Sequence, residues 1–330
     1  MKKALLIYNP SSGRRREHRV QQVAKALTIF QAAGIEAESC ATTHSGSAVA
    51  QTQAAVSAGF DTVIACGGDG TANEVLNGLM MSGSEAALGI LPFGSGNVLA
   101  TNLLLPTRIE AAARTLLTYQ PRALHPGLML YREETGMRQR YLIIVAGVGS
   151  DAELMYRTLA GSKERYGVYA YFLEMMRMAV RRRLPMFKTE WKDEQGELHS
   201  TEVAMVMALR AKRFPGLLRR VRMDVELTRN QYRLILFRTN KVRHFLNYFG
   251  SVMSGMNWNV PQIQLASSQW FRCAPSGAGS KSSESESAEF HSNDENSIRS
   301  EADGELMGKL PVEVSIAPKT FNLLMNIDEH

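Results

Sequence analysis

Four short stretches of this 330-residue chain combine small residues with carboxylate, amide or hydroxyl groups: Asn9-Pro10-Ser11-Ser12-Gly13, Gly67-Gly68-Asp69-Gly70-Thr71, Gly94-Ser95-Gly96-Asn97 and Asp303-Gly304-Glu305. In the second, an apolar run ending at Cys66 breaks into glycines and then reads as helix through Ala72, Asn73 and Glu74. Glycines at such a turn let the backbone approach a phosphate, and the N–H groups of the following helix favour an anion. Asp69 excludes the dinucleotide fingerprint G-x-G-x-x-G, since a carboxylate would face the pyrophosphate, and the chain has no G-x-x-x-x-G-K-[ST] loop. The pattern fits a nucleotide donor carried with Mg²⁺, Asp69 holding the cation. A capping turn is the structural alternative; it explains Asp69 but not two preceding glycines plus Thr71. Near the other end of the chain, Asp303 and Glu305 flank a glycine, a pattern that can ligate a metal, deprotonate a hydroxyl or simply make a hairpin turn.

Hydrophobic periodicity supplies the elements that must position these residues. Ala4–Tyr8, Ile35–Cys40, Thr62–Ala65 and Ala87–Leu91 read as strands. Glu17–Ala33, Ser47–Ala58, Ala72–Met81 and a segment from Val98 read as helices, the first with Val20, Val23, Ala24, Leu27 and Phe30 on one face and Gly34 closing it. This alternation predicts a parallel sheet with helices on both faces. The first three turns then fall at the carboxyl ends of strands, the edge where open parallel sheets bind ligands. Beyond about Ala123 the pattern becomes strand-rich: Tyr141–Ala146, Val203–Leu209, Tyr232–Phe237 and Val312–Ile316 read as strands and Tyr166–Arg181 as a helix. Two domains, 1–123 and 124–330, are expected, with a groove between them and the last residues able to return to the first. Ser276–Ser300, rich in Ser, Gly and acid, reads as a flexible insertion.

Composition narrows the setting. Cys40, Cys66 and Cys273 are odd in number and lack metal spacing, which argues for a reducing compartment. The first apolar run is too short for a signal peptide, and no stretch approaches the roughly 20 apolar residues of a membrane span, so a cytoplasmic location is expected. Val206–Val260 carries eleven Lys or Arg against Asp224 and Glu226, whereas Ser276–Glu305 carries eight acids against Lys281 and Arg299. A basic stretch of that kind suits either a solvated strand surface or an anionic partner. Without an accompanying nucleic-acid motif it does not favour nucleic acid.

Five ordered motifs resemble the diacylglycerol kinase catalytic-domain family, which includes bacterial lipid kinases and the sphingosine and ceramide kinases: YNPSSGRR (8–15), CGGDGTANEVLNGL (66–79), LGILPFGSGNVLATNL (88–103), AGVGSDAEL (146–154) and ADGELMGKLPVEVSIAP (302–318). The GGDGT element alone is shared with NAD kinases. The resemblance implies an NAD kinase/diacylglycerol kinase-like α/β domain followed by a β-sandwich-type domain, with ATP bound between them and a lipid hydroxyl as phosphate acceptor. It places Asn9, Pro10, Ser11, Ser12 and Gly13 in the first nucleotide loop, and Thr42 as a further nucleotide contact. Gly67, Gly68, Asp69, Gly70, Thr71, Ala72, Asn73 and Glu74 fall in the phosphate turn, with Gly94, Ser95, Gly96 and Asn97 in the third loop. Glu305 matches the proton acceptor, with Asp303 beside it. Val98 replaces the aspartate that usually ends the third motif, and Arg229-Asn230 stand where a structural Mg²⁺ site of some bacterial members has acids.

The expected activity is therefore ATP- and Mg²⁺-dependent phosphorylation of a lipid at the membrane surface. Arg181-Arg182-Arg183, Arg219-Arg220-Arg222, Phe214, Leu217 and Leu218 would form a basic and apolar surface suited to a peripheral enzyme. A kinase of a soluble compound such as NAD, and a catalytically lapsed nucleotide or lipid binder, are the alternatives. An oligomer is compatible with all three.

Overall fold

A computed structural model describes residues 1–12, 18–94, 96–149, 184–215, 224–254, 260–276 and 298–326. The predicted helix Tyr166–Arg181, Gly13, Ser95, Arg181-Arg182-Arg183, Leu217, Leu218, Arg219-Arg220-Arg222 and most of the acidic insertion lie outside these residues.

Strands β1 (Lys3–Tyr8), β3 (Thr62–Gly67) and β4 (Ala87–Pro92) are almost wholly apolar and buried, as strands covered on both faces must be. With β2 (Glu36–Ala41) they pair in parallel in the order β2-β1-β3-β4. Helix α1 (Arg19–Ala32) packs with α5 (Ile109–Leu116), and α2 (Ser47–Ser57) with α3 (Asp69–Ser82). Gly78 permits that second contact, because a Cβ there would lie 2.7 Å from the Val49 carbonyl oxygen. The short helix α4 (Val98–Asn102) follows β4. The sheet is completed from the far end of the sequence: β17 (Phe321–Met325) lies parallel to β4, and β5 (Gln120–Leu124) pairs antiparallel with β17.

The remaining strands form an antiparallel sheet. In the order β10 (Leu198–Val203), β9 (Phe187–Lys192), β14 (Trp270–Pro275), β16 (Glu305–Ile316), β15 (Arg299–Ala302), β8 (Val145–Gly149), β11 (Met205–Leu209), β12 (Tyr232–Phe237) and β13 (Ile263–Ser268), neighbours are hydrogen-bonded. β6 (Gly127–Glu133) pairs with the second half of β16 and with β7 (Gly136–Leu142). Because long β16 meets β15 along its first residues and β6 along its last, the sheet divides and folds over a core of Met129, Phe187, Tyr232, Phe271 and Val314. The fold is thus the expected one, a parallel α/β layer followed by a large curled antiparallel unit.

Three departures from expectation have local causes. Tyr141–Ala146 is not one strand: β7 ends at Leu142 and β8 begins at Val145, since the intervening N–H groups leave the ladder for the Asp303 carboxylate. Val203–Leu209 likewise splits at Ala204 between β10 and β11. Within the basic stretch a helix, α6 (Val242–Ser254), lays Phe245 against Phe237 of β12 with ring centroids 4.6 Å apart.

Two basic residues of the stretch, Arg210 and Lys212, are engaged within the fold. Arg210 is fully buried, donating to the carbonyl oxygens of His125 and Leu227 at 2.8 Å each, and Lys212 pairs with Glu226 at 2.8 Å. Phe214, read as an exposed apolar residue, packs partly buried against the core. Among the described residues no helix is long and apolar enough to cross a membrane.

Candidate functional site

Three turns emerge together from the carboxyl edge of the parallel sheet. After β1, Asn9 folds the chain back through its own side chain, Oδ1 accepting from Ser11 N at 2.8 Å. After β3, extended Gly68 caps α3. After β4, Asn97 takes a left-handed φ of 58° and closes the loop with Gly94, accepting from its N–H at 2.8 Å and donating to its carbonyl oxygen at 2.7 Å.

The turns hold one another in place. Phe93 N and Gly94 N both donate to the Gly67 carbonyl oxygen, at 2.9 and 3.1 Å. Arg19, itself buried, donates to the carbonyl oxygens of Ser12 and Phe93 and lies over the Phe93 ring at 4.3 Å. At the closest point a Cβ on Gly94 would sit 2.5 Å from Gly68 Cα, where only backbone could yield. Gly94→Ala is therefore expected to push the second and third turns apart and, on the sequence expectation that these turns hold a nucleotide, to weaken its binding by at least about ten-fold, roughly 1.4 kcal/mol. Calorimetric titration of the folded variant with a non-hydrolysable ATP analogue checks this.

The first two of these turns border a cleft of about 330 Å³. Of the residues singled out in the sequence, Asn9, Pro10, Ser11, Thr42, Gly70, Thr71, Glu74 and Glu305 line it. Thr43, His44 and Ser45 do so as well, and no motif marked them. Gly67, Gly68, Ala72, Gly94, Gly96 and Asn97 frame the turns, and Ser12 accepts from Arg19.

The carboxylates are not interchangeable. Asp69 does not face the cleft as a free cation ligand; its two oxygens accept from Val98 N and Leu99 N, both at 3.0 Å, so it fixes the first turn of α4. Burial pushes its carboxyl up, against the pull of those bonds. Glu74 accepts from Gly46 N at 2.8 Å and Ala48 N at 3.0 Å, holding the start of α2. Asn73 is buried and turned away from the cleft, donating to Tyr141 O at 2.9 Å and Asp303 Oδ2 at 2.8 Å.

Asp303 and Gly304, with φ of 48° and 84°, make the two-residue turn between β15 and β16. The hairpin alternative thus holds for the backbone, while the side chains divide. Asp303 is buried and accepts from Ile143 N at 2.7 Å, Ile144 N at 2.8 Å, Val145 N at 3.0 Å and Asn73. Burial raises its carboxyl and these donors oppose the rise; only the carboxylate form accepts all of them. Glu305, by contrast, reaches the cleft. Its Oε2 accepts from Arg140 Nη2 at 2.7 Å, while Oε1 faces Gly70, where an added Cβ would be 3.0 Å away. Burial pushes its carboxyl up to about 7 although Arg140 pulls it down. A carboxyl poised there suits proton transfer near neutral pH.

These donors do not fit a protein-held Mg²⁺. Asp69 and Glu74 have both oxygens engaged and Glu305 has one, which leaves, among the described residues, no set of open carboxylates around a common point. Among the described residues, the Asp/Glu/His group with converging ligand atoms is Asp193, Glu197 and His199, on the β9–β10 hairpin.

Comparison with known proteins bears on the family and the fold. Residues 3–129 match the family model described as diacylglycerol kinase catalytic domain. A diacylglycerol kinase of Bacillus subtilis (strain 168) is 30% identical over 264 residues, covering 80% of this chain and 82% of that protein. One from Staphylococcus saprophyticus is 32% identical over 198 residues, 59% of this chain and 62% of its own length. A crystal structure of a diacylglycerol kinase from Bacillus anthracis str. Sterne superposes with a TM-score of 0.66 at 17% identity, covering 99% of this chain and 98% of that one.

Proposed function

Because the chain belongs to the diacylglycerol kinase family, we propose that it transfers the γ-phosphoryl group of ATP to the hydroxyl of a lipid such as a diacylglycerol or a sphingoid base. The observation that carries this reading is Glu305, a carboxylate with one oxygen free, reaching from the antiparallel unit to the N-terminal turn of α3.

Phosphoryl transfer needs positioning and charge stabilisation more than covalent chemistry. The amides at the start of α3 favour phosphate, and Asn9, Ser11 and Thr42 give the cleft polar groups for the rest of the nucleotide. Glu305 then accepts the proton of the acceptor hydroxyl. Asp69, Asp303 and Asn73 serve as positioning residues: Asp69 and Asp303 spend their oxygens on backbone N–H groups and Asn73, and Asn73 ties Tyr141 and Asp303 to Arg140 and Asn77. Functionally, residues 1–123 with 321–325 hold the donor and 124–320 present the acceptor. Because the substrate resides in a bilayer, the enzyme works at a membrane surface.

Incubating the purified protein with labelled ATP, Mg²⁺ and a panel of lipid alcohols, with NAD in parallel, tests the proposal. A labelled phospholipid is expected. Label in NADP and none in lipid would move the assignment to a soluble acceptor, and no labelled product at all would sink it.

A further inference from the structure

Arg140 belongs to none of the glycine turns, yet it joins them to the acid that faces them. It projects from β7 with 18% of its side chain exposed. Its Nη2 donates to Glu305 Oε2 and its Nε to Asn73 Oδ1, both at 2.7 Å. Asn73 is held on several sides: it is buried on α3, donates to Tyr141 O and Asp303 Oδ2, and shares its Oδ1 with Asn77 Nδ2 at 3.1 Å. The Nε of the guanidinium is thereby fixed to the helix that carries the phosphate turn, while its Nη2 grips the carboxylate. The rigid fork of arginine can span two acceptors in this way; the single ammonium of lysine cannot reproduce it.

We propose that Arg140 is a positioning residue for the phosphoryl-transfer step, clamping Glu305 Oε2 so that Oε1 points at the glycine turn as a carboxylate ready to take a proton. The inference rests on the kinase reading above. In the step it serves, the acceptor oxygen bonds to the γ-phosphorus as the bond from that phosphorus to the β–γ bridging oxygen breaks. The hydroxyl proton passes to Glu305, and ADP leaves with the electron pair of the broken bond.

Electrostatics around Glu305 support this role. Among the described residues, the charged groups acting on it are Arg140 from β7, Glu74 from α3 and Asp303 from its own hairpin. Burial and both acids oppose ionisation; Arg140 favours it. Without Arg140 the carboxyl rises further, and a larger share is protonated and idle at neutral pH.

The test measures Glu305 directly and through turnover. In protein labelled with ¹³C at the glutamate carboxyl, the resonance missing from Glu305→Gln identifies Glu305. Its midpoint is expected to rise by about one pH unit or more in Arg140→Gln and by less in Arg140→Lys, which keeps the charge but not the fork. The acidic limb of kcat/KM should move with it, giving activity at pH 7 lower by about five-fold or more, a deficit that shrinks towards pH 9, with the KM for ATP unchanged. An unmoved midpoint, or a loss equal at every pH, would overturn the proposal. If Arg140→Gln does not fold, Arg140→Lys carries the same two readouts. If the midpoint moves as expected but no protein, wild type included, phosphorylates a lipid, the kinase reading fails while the Arg140 clamp stands.

Discussion

Glu305→Gln is expected to lower kcat for lipid phosphorylation by about 10²- to 10⁴-fold, the usual contribution of a positioned general base, while leaving affinity for the nucleotide unchanged. The amide matches the carboxylate in size and still offers Arg140 an acceptor, so the clamp and the turns persist. Single-turnover kinetics beside a nucleotide titration separates the two quantities. A parallel fall in both would show that the side chain builds the cleft rather than acts in it.

The same substitution carries a stability signature with a definite sign. The folded-state value of Glu305, about 7, lies above that of an unfolded glutamate, so the folded protein binds the extra proton between the two. Stability linked to this group is therefore greatest below the unfolded value and is lost as pH rises through about 7. Glutamine imitates the protonated form at every pH. The melting temperature of Glu305→Gln should exceed that of wild type above pH 7 and converge with it in acid. A difference independent of pH would mean that Glu305 titrates normally.

Asp303→Ala is expected to be the most destabilising single change considered, by roughly 3–5 kcal/mol. It strands three backbone N–H groups and the Asn73 amide in a buried site, and it places alanine at a left-handed φ of 48°. Asp303→Asn tolerates that φ and keeps one acceptor oxygen, so it should lose less. Urea denaturation at pH 7 measures both. A loss below about 1 kcal/mol for the alanine variant would show that the β7–β8 break is held by something other than this carboxylate.

Much of the architecture was legible because it follows from local pattern. Apolar runs such as Thr62–Gly67, bounded by glycine, are strands buried on both faces, and α1 ends where Gly34 allows a φ of 80°. The glycine turns were legible for the same reason, since each breaks an apolar strand at a fixed edge. What the carboxylates do was not. Asp69 reads as a metal ligand or a cap for its own helix, yet it caps α4, 29 residues away. Asp303 and Glu305 look equivalent on paper, and only the pleat of β16 and the gap between β7 and β8 bury one and present the other. Arg140 carried no signal at all: GMRQRYL reads as a polar edge strand, and its partners on α3 and β16 are 67 and 165 residues distant. Helix α6 was hidden by its charge, because the basic residues around it obscured the helical spacing of Phe245 and Tyr248.

The position of β17 bears on how the protein is made. Its five residues occupy the gap between β4 and β5, so the six-stranded sheet has no continuous ladder until Phe321–Met325 arrives. A ribosome delivers the amino-terminal half first, and that half emerges able to form β1–β4 but not to seat β5. Contacts of such long sequence separation are slow to form and leave edges open meanwhile. The parallel sheet is therefore completed only after the antiparallel unit has been synthesised, which makes the two halves a single unit of biosynthesis although their sheets are separate.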